Sequence, residues 1–316
     1  MKNTESSIKH EIELPQSDPE EDGEGVQKVA LVLGGGGARG FAHLGVVKVL
    51  QELGLKPDMI VGTSMGAVIG SAAAGEVEVE GLIKVLERLD INQILQISRE
   101  SRRELEKVLG RTLAQGIGVS NWGSEESNET PVKLARFFTF FKLLTKNSDI
   151  AELPVIYAAV ATDLLSGSEV ILTEGKVYRA AAASSAIPGF IPPVKWEDFL
   201  LVDGGVVDTV PVLPAVQLGA DAVIAVDVST NLPEHGSNSP LAIFNRTSKI
   251  RKEELLKAKN AIARVQLPGR LKVLSPRVDD LNWLDFNQIE KAASRGERCI
   301  RKDLDEVKSI FNSVKN

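Results

Sequence analysis

From Val26 onward, short apolar runs alternate with amphipathic stretches, whereas the residues before it are polar and acidic with no apolar period. Val29–Leu33 reads as a buried strand, followed by glycines and a helix from about Phe41 to Leu53. Met59–Gly62 is a second short strand that runs directly into a small-residue helix over Ala67–Ala74. Further apolar runs at Val155–Thr162, Leu200–Asp203 and Ala222–Val228 predict strands, with one more short strand near Leu271–Leu274. Helical periods fill 78–90, 208–218 and 285–311. Strands alternating with helices predict an α/β fold with a largely parallel sheet covered on both faces. In such sheets sites form beyond the carboxyl ends of the strands, which directs attention to the residues after Leu33, Val61, Thr162, Val202 and Val226.

Two segments break this rhythm. Residues 1–27 read as a disordered acidic leader, with Pro15, Pro19 and a local net charge of −5 through Lys28, and without the apolar core of a secretory signal. Residues 98–150 contain charged helical stretches around Arg99–Leu113, a Gly/Ser/Asn-rich loop at Gly116–Glu129 and the cluster Phe137-Phe-Thr-Phe-Phe141. This region is expected to be a helical insertion or lid over the sheet. The phenylalanines, flanked by Arg136, Lys142 and Lys146, admit two readings: helical spacing that packs a lid onto the core, or a contact with a membrane surface. Residues 241–316 are expected to be mostly helical, and the basic stretch Lys249–Lys259 a solvated face or an anionic-surface contact.

Composition narrows the chemistry. A net charge of −6 is the wrong sign for tracking a phosphate backbone, and 5% aromatics leave little for base stacking, so no nucleic-acid partner is expected. One cysteine, Cys299, and three histidines leave little material for a metal site, and none is expected. No run of 18 uninterrupted apolar residues occurs, so no transmembrane segment is expected, and the default location is cytoplasmic with at most peripheral membrane contact.

Gly62-Thr-Ser-Met-Gly66 is a G-x-S-x-G pentad between an apolar strand and an Ala-rich helix. That context puts Ser64 on a sharp turn with the helix N-terminus aimed at any negative charge forming beside it, which marks a nucleophile rather than a structural turn. Gly34–Gly40 is a second glycine run between a strand and a helix, and Gly35, Gly37 and Gly40 satisfy G-x-G-x-x-G. A dinucleotide site wants an acid after the second strand, but Asp58 precedes it; a phosphate-binding Walker loop fails because Phe41 follows Gly40. What remains is a run of unobstructed backbone N–H groups, the material of an oxyanion hole.

A nucleophilic serine needs a base. His235 lies in a Gly/Ser/Pro loop, His10 in the leader, and His43 on the helix after the glycines, where packing or capping fits it better. Direct action by a carboxylate is therefore considered, from Asp163, Asp203 or Asp227 at strand ends; Asp163 and Asp227 also fit the ordinary role of bonding local amides. Asp203 is followed by Gly204-Gly205, which allows a sharp turn.

Gly35-Gly-Gly-Ala-Arg-Gly40, Gly62-Thr-Ser-Met-Gly66 and Asp203-Gly-Gly205 together resemble, in order and spacing, the patatin-like phospholipases, in particular the compact bacterial members related to the neuropathy target esterase catalytic domain. The likeness covers roughly residues 27–230 and continues more weakly through Ala180–Pro188 and Leu284–Phe286. It implies a three-layer α/β/α domain over 28–316, a Ser64–Asp203 dyad, an oxyanion held by amides of Gly35, Gly36 and Gly37, and hydrolysis of lipid acyl esters without a metal or other cofactor. Gly40, Gly62, Gly66, Gly204 and Gly205 complete the motifs, and Arg39 either orients the glycine loop or meets a lipid phosphate. The chain departs from the pattern at Asp208-Thr-Val-Pro211, where many relatives carry an Asn-containing turn, a change expected to touch the wall of the site. Thioester hydrolysis, acyl transfer on the same dyad, or lipid binding without catalysis remain alternatives.

Overall fold

The structure is a computed structural model and describes residues 27–89, 91, 135, 137–139, 141–142, 145, 147–188, 190–230 and 240–315. The expected leader, the helical stretches around Arg99–Leu113, the loop at Gly116–Glu129, Arg136, Phe140, Lys146, His10 and His235 lie outside the described residues.

Among the described residues the strands are β1 (Val29–Leu33), β2 (Met59–Thr63), β3 (Ile156–Asp163), β4 (Glu169–Leu172), β5 (Val194–Trp196), β6 (Phe199–Asp203), β7 (Ala222–Val226) and β8 (Leu271–Leu274). They form one sheet in the order β5-β6-β3-β2-β1-β7-β8, with β4 also paired to β3. The β3-β2-β1-β7-β8 run is parallel, and β4, β5 and β6 add antiparallel pairs. The helices are α1 (Ala42–Glu52), α2 (Met65–Ala74), α3 (Val79–Arg88), α4 (Val177–Ser184), α5 (Val212–Gln217), α6 (Pro240–Gln266), α7 (Ile289–Lys302) and α8 (Leu304–Lys315).

Strand alternation divides the core into two. Val29, Leu31 and Leu33 of β1 join a cluster with residues of α1, α2, α4, α7 and α8, while Ala30 and Val32 face a second cluster containing Val212, Leu213 and Ala263 of α5 and α6. Both faces of the sheet are therefore covered, giving three layers with a mostly parallel sheet, as the apolar runs predicted.

The differences from the sequence reading have local causes. The helix expected over 208–218 begins only at Val212, because Pro211 disfavours helical geometry at the residue before it. The single period over 285–311 is two helices, broken where Asp303 N–H turns back to the carbonyls of Cys299 and Ile300. Strands β4 and β5 have only four and three residues, too few for alternation to register.

Candidate active site

Register brings the site together. Thr63, the last residue of β2, pairs with Val160 of β3, and Asp203, the last residue of β6, pairs with Ala161. Since β4 occupies the other edge of β3 at these positions, β2 and β6 share one edge, end facing end. Ser64 Oγ donates to Asp203 Oδ2 at 2.6 Å, with the two residues 6% and 8% exposed.

Ser64 sits at φ 54°, ψ −125°, a conformation that costs a non-glycine residue about 1–3 kcal/mol and persists only when its surroundings enforce it. Those surroundings are close. A Cβ on Gly66 would lie 1.9 Å from Leu33 O, so only glycine lets α2 start against β1. Ser64 N–H donates to Ser184 Oγ at 2.9 Å, and that hydroxyl donates to Val160 O at 2.6 Å. Ser184 thus locks the elbow to β3. No sequence signal separates it from its neighbour Ser185 in the Ala-rich stretch, because its partner is 120 residues away.

Asp203 is held as firmly. Its Oδ1 accepts from Gly205 N–H at 2.7 Å, its own N–H donates to Ala186 O at 3.0 Å, and its carbonyl accepts from Thr162 Oγ1 at 3.1 Å. Burial pushes its carboxyl above the ordinary range, opposed by the Ser64 hydroxyl, the Gly205 amide and the charge of Lys252. Gly204 passes so near β3 that a Cβ would lie 2.1 Å from Val160 O. The other two aspartates bond backbone amides instead: Asp163 accepts from the nearby Ser166 amide and from Leu200 of β6, and Asp227 from the Ser229 amide.

In the glycine loop the structure narrows the expected donor set. Gly35 N–H is already bonded to Thr209 O at 2.8 Å, so it is not free for an oxyanion. Gly36 and Gly37 N–H make no hydrogen bond among the described residues, and both residues line the cavity at Ser64. Gly37 adopts φ +57°, and a Cβ there would meet Trp283 O at 2.3 Å. His43 is fully buried, and its Nε2–H donates to Gly34 O at 2.7 Å. Burial lowers its pKa to about 4, so it is neutral near pH 7 and braces the loop from behind. Arg39 Nε donates to Leu281 O at 2.8 Å and Nη1 to Thr230 Oγ1 at 3.3 Å, while the side chain also lines the cavity.

Ser64 stands between two cavities. One, of about 50 Å³, is apolar and follows Met65, Val68, Ile69 and Ala72 along one face of α2, closed by Phe137 and Phe141. These two rings are 3% and 2% exposed and meet edge to face at 4.7 Å, so both are packed inward. The other, of about 410 Å³, opens past Asp203 and the glycine loop and is rimmed by Arg39, Lys249 and Lys252. Thr209 lines it, but the Asp208 carboxylate does not: it faces Lys259, behind the elbow rather than in the wall of the site. The sequence marks Lys249 and Lys252 only as part of a basic helix face, since nothing local says which turn of α6 meets the cavity. No cluster of three or more His, Cys, Asp or Glu side chains suited to a metal occurs among the described residues, and no helix there is long and apolar enough to cross a membrane.

Comparison with known proteins gives a family-model match, patatin-like phospholipase, over residues 31–216. An uncharacterized NTE family protein of Mycobacterium tuberculosis is 37% identical over 203 residues, covering 64% of this chain and 49% of the relative. Human patatin-like phospholipase domain-containing protein 6 is 27% identical over 284 residues, covering 83% of this chain and 19% of that protein. The chain thus spans about half the length of the mycobacterial relative and about a fifth of the human one. Among solved structures, VipD from Legionella pneumophila superposes with a TM-score of 0.47 at 14% identity, over 89% of this chain and 67% of VipD.

Proposed function

The chain belongs to the patatin-like phospholipase family, and from that premise we propose that it is a serine lipid acyl hydrolase working through Ser64 and Asp203. The observation that carries the reading is the 2.6 Å bond from a backbone-strained Ser64 to a buried carboxylate, at the junction of an apolar and a basic cavity. Ser64 Oγ attacks the acyl carbonyl while its proton passes to Asp203. The carbonyl oxygen, now negative, lies against the free amides of Gly36 and Gly37, donors typically worth about 3–4 kcal/mol each in the transition state. Asp203 returns the proton to the departing alcohol. A water molecule then gives a proton to Asp203, attacks the acyl-enzyme and releases the fatty acid, and the proton returns to Ser64.

Fatty-acid release from lysophospholipids, phospholipids and short p-nitrophenyl esters, with EDTA present, tests this. Turnover should persist in EDTA and vanish in Ser64→Ala. Release that Ser64→Ala leaves intact would overturn the reading.

The basic rim favours one arrangement of a bound lipid in the two cavities: acyl chain along α2, phosphate of the head group at Arg39, Lys249 and Lys252. A hydrogen bond to a charged group is worth about 1.5–3 kcal/mol, so the double substitution Lys249→Gln with Lys252→Gln should lower kcat/KM on a lysophospholipid about tenfold or more. A neutral monoacylglycerol should change less than twofold when each form is assayed on the plateau above its own acid limb. Equal losses on the two substrates would remove the phosphate assignment.

A further inference from the structure

The turn at Asp208–Val210 touches three parts of the site through its backbone. Asp208 N–H donates to Gly204 O at 2.8 Å, next to the base. Asp208 O accepts from Thr63 Oγ1 at 3.0 Å, next to the nucleophile. Thr209 O accepts from Gly35 N–H at 2.8 Å, in the glycine loop. Any displacement of this turn moves base, nucleophile and oxyanion donors relative to one another, and an error of about 1 Å in such a geometry costs on the order of 100-fold in rate.

A buried ion cluster holds the turn. Lys259 of α6 donates to Asp208 Oδ2 at 2.7 Å and to Glu169 Oε2, at the start of β4, also at 2.7 Å. The Asp208 side chain is 1% exposed and those of Lys259 and Glu169 are each 11% exposed. Asp208 Oδ1 accepts from Val210 N–H at 3.2 Å, so the carboxylate fixes the shape of the turn as well as its place. Burial raises the Asp208 carboxyl, Lys259 pulls it back, and Glu169 adds to the rise. Two carboxylates share one ammonium, and a buried charge left without its partner is strongly destabilising. None of the three side chains lines either cavity at Ser64, so none meets substrate there.

We propose that Lys259 is a positioning residue for the reaction: by clamping Asp208 against Glu169 it sets the turn that keeps Asp203, Ser64 and the glycine loop in register. This rests on the serine-hydrolase reading above.

The test compares wild type, Lys259→Met, Asp208→Asn and the double variant Asp208→Asn with Lys259→Met. kcat and KM are read on p-nitrophenyl butyrate, and amide hydrogen exchange on peptides covering 31–41 and 59–68. Lys259→Met should lower kcat at least tenfold with KM within twofold, at a temperature where circular dichroism shows it folded, and should speed exchange in both peptides. Adding Asp208→Asn should bring kcat back to within about threefold of wild type, because the introduced asparagine can accept from the Val210 amide and donate to Glu169 without a cation. An unchanged kcat in folded Lys259→Met overturns the proposal, as does a double variant that regains its melting temperature while kcat stays low. If Lys259→Met does not fold, Asp208→Asn and the double variant are compared instead: equal kcat supports the clamp, and a tenfold drop overturns it. A wild-type protein that hydrolyses no ester counts against the hydrolase reading alone. The exchange arm then decides the role of Lys259: faster exchange reversed by Asp208→Asn supports the clamp, and unchanged exchange overturns it.

Discussion

Asp203→Asn should lower kcat on every ester by about 100- to 10,000-fold while the protein stays folded. The asparagine keeps one oxygen to accept from Gly205 N–H, the bond that shapes the turn after β6. Its amide nitrogen, however, replaces the oxygen that now accepts from Ser64 Oγ, so it donates to the hydroxyl and takes no proton from it. The loss should therefore fall on kcat rather than KM. The same carboxylate sets the pH dependence. Asp203 must be ionised to act as a base, and burial raises its pKa above that of an ordinary aspartate, about 3.9. Activity is then full above the raised pKa and lost as pH falls through it, so the acid limb of kcat/KM should lie above the ordinary aspartate range. Lys252→Gln should move that limb further up, because the lysine's charge favours the ionised form. A pH profile on a short soluble ester measures both effects, with circular dichroism across the same range. An acid limb unmoved in Lys252→Gln, or full turnover in Asp203→Asn, would count against Asp203 as the base.

How much of this was legible in the chain depends on the range of each interaction. β1, β2, β3 and β7 read as apolar runs because a parallel strand buried on both faces has no polar side to show. The elbow at Gly62–Gly66 and the Asp203-Gly-Gly205 turn were visible because their demands are local: a sharp bend needs glycine wherever the fold places it. What stayed hidden depends on partners far along the chain. That Gly35 is spent on Thr209, leaving Gly36 and Gly37 free, follows from how β1 and the 208–210 turn meet. The turn Asp208-Thr-Val-Pro211 read as part of the wall of the site, and only the arrival of Lys259, 51 residues on, shows that the Asp208 side chain faces away. The Phe137–Phe141 ambiguity had the same origin. Helical spacing fits a buried stripe and a membrane face equally, and only the structure shows that Phe137 and Phe141 are buried against the cavity.

Ala72→Phe should convert the protein into a short-chain esterase. The apolar cavity follows Met65, Val68, Ile69 and Ala72, the i, i+3, i+4, i+7 positions of α2, so it leads away from Ser64 along one helix face. Eight residues at about 1.5 Å rise place Ala72 about 12 Å from Ser64, at the distal end. The cavity is small at about 50 Å³, so it must widen to take a long acyl chain, and a phenyl ring at position 72 is expected to fill that end. If about four methylenes lose their burial at about 0.8 kcal/mol each, the loss is about 3 kcal/mol, or roughly 200-fold in kcat/KM for a palmitoyl ester. A butyryl ester, which ends well short of Ala72, should change less than threefold. Ala72 is 5% exposed, so the larger ring is expected to cost about 1–3 kcal/mol of stability, and the milder Ala72→Leu should give a smaller shift of preference in the same direction. The ratio of kcat/KM for palmitoyl and butyryl esters is the measurement. A ratio unchanged in both folded variants would mean that the acyl chain takes the wider, basic-rimmed cavity instead, and the assignment of head group and chain to the two sides of Ser64 would have to be reversed.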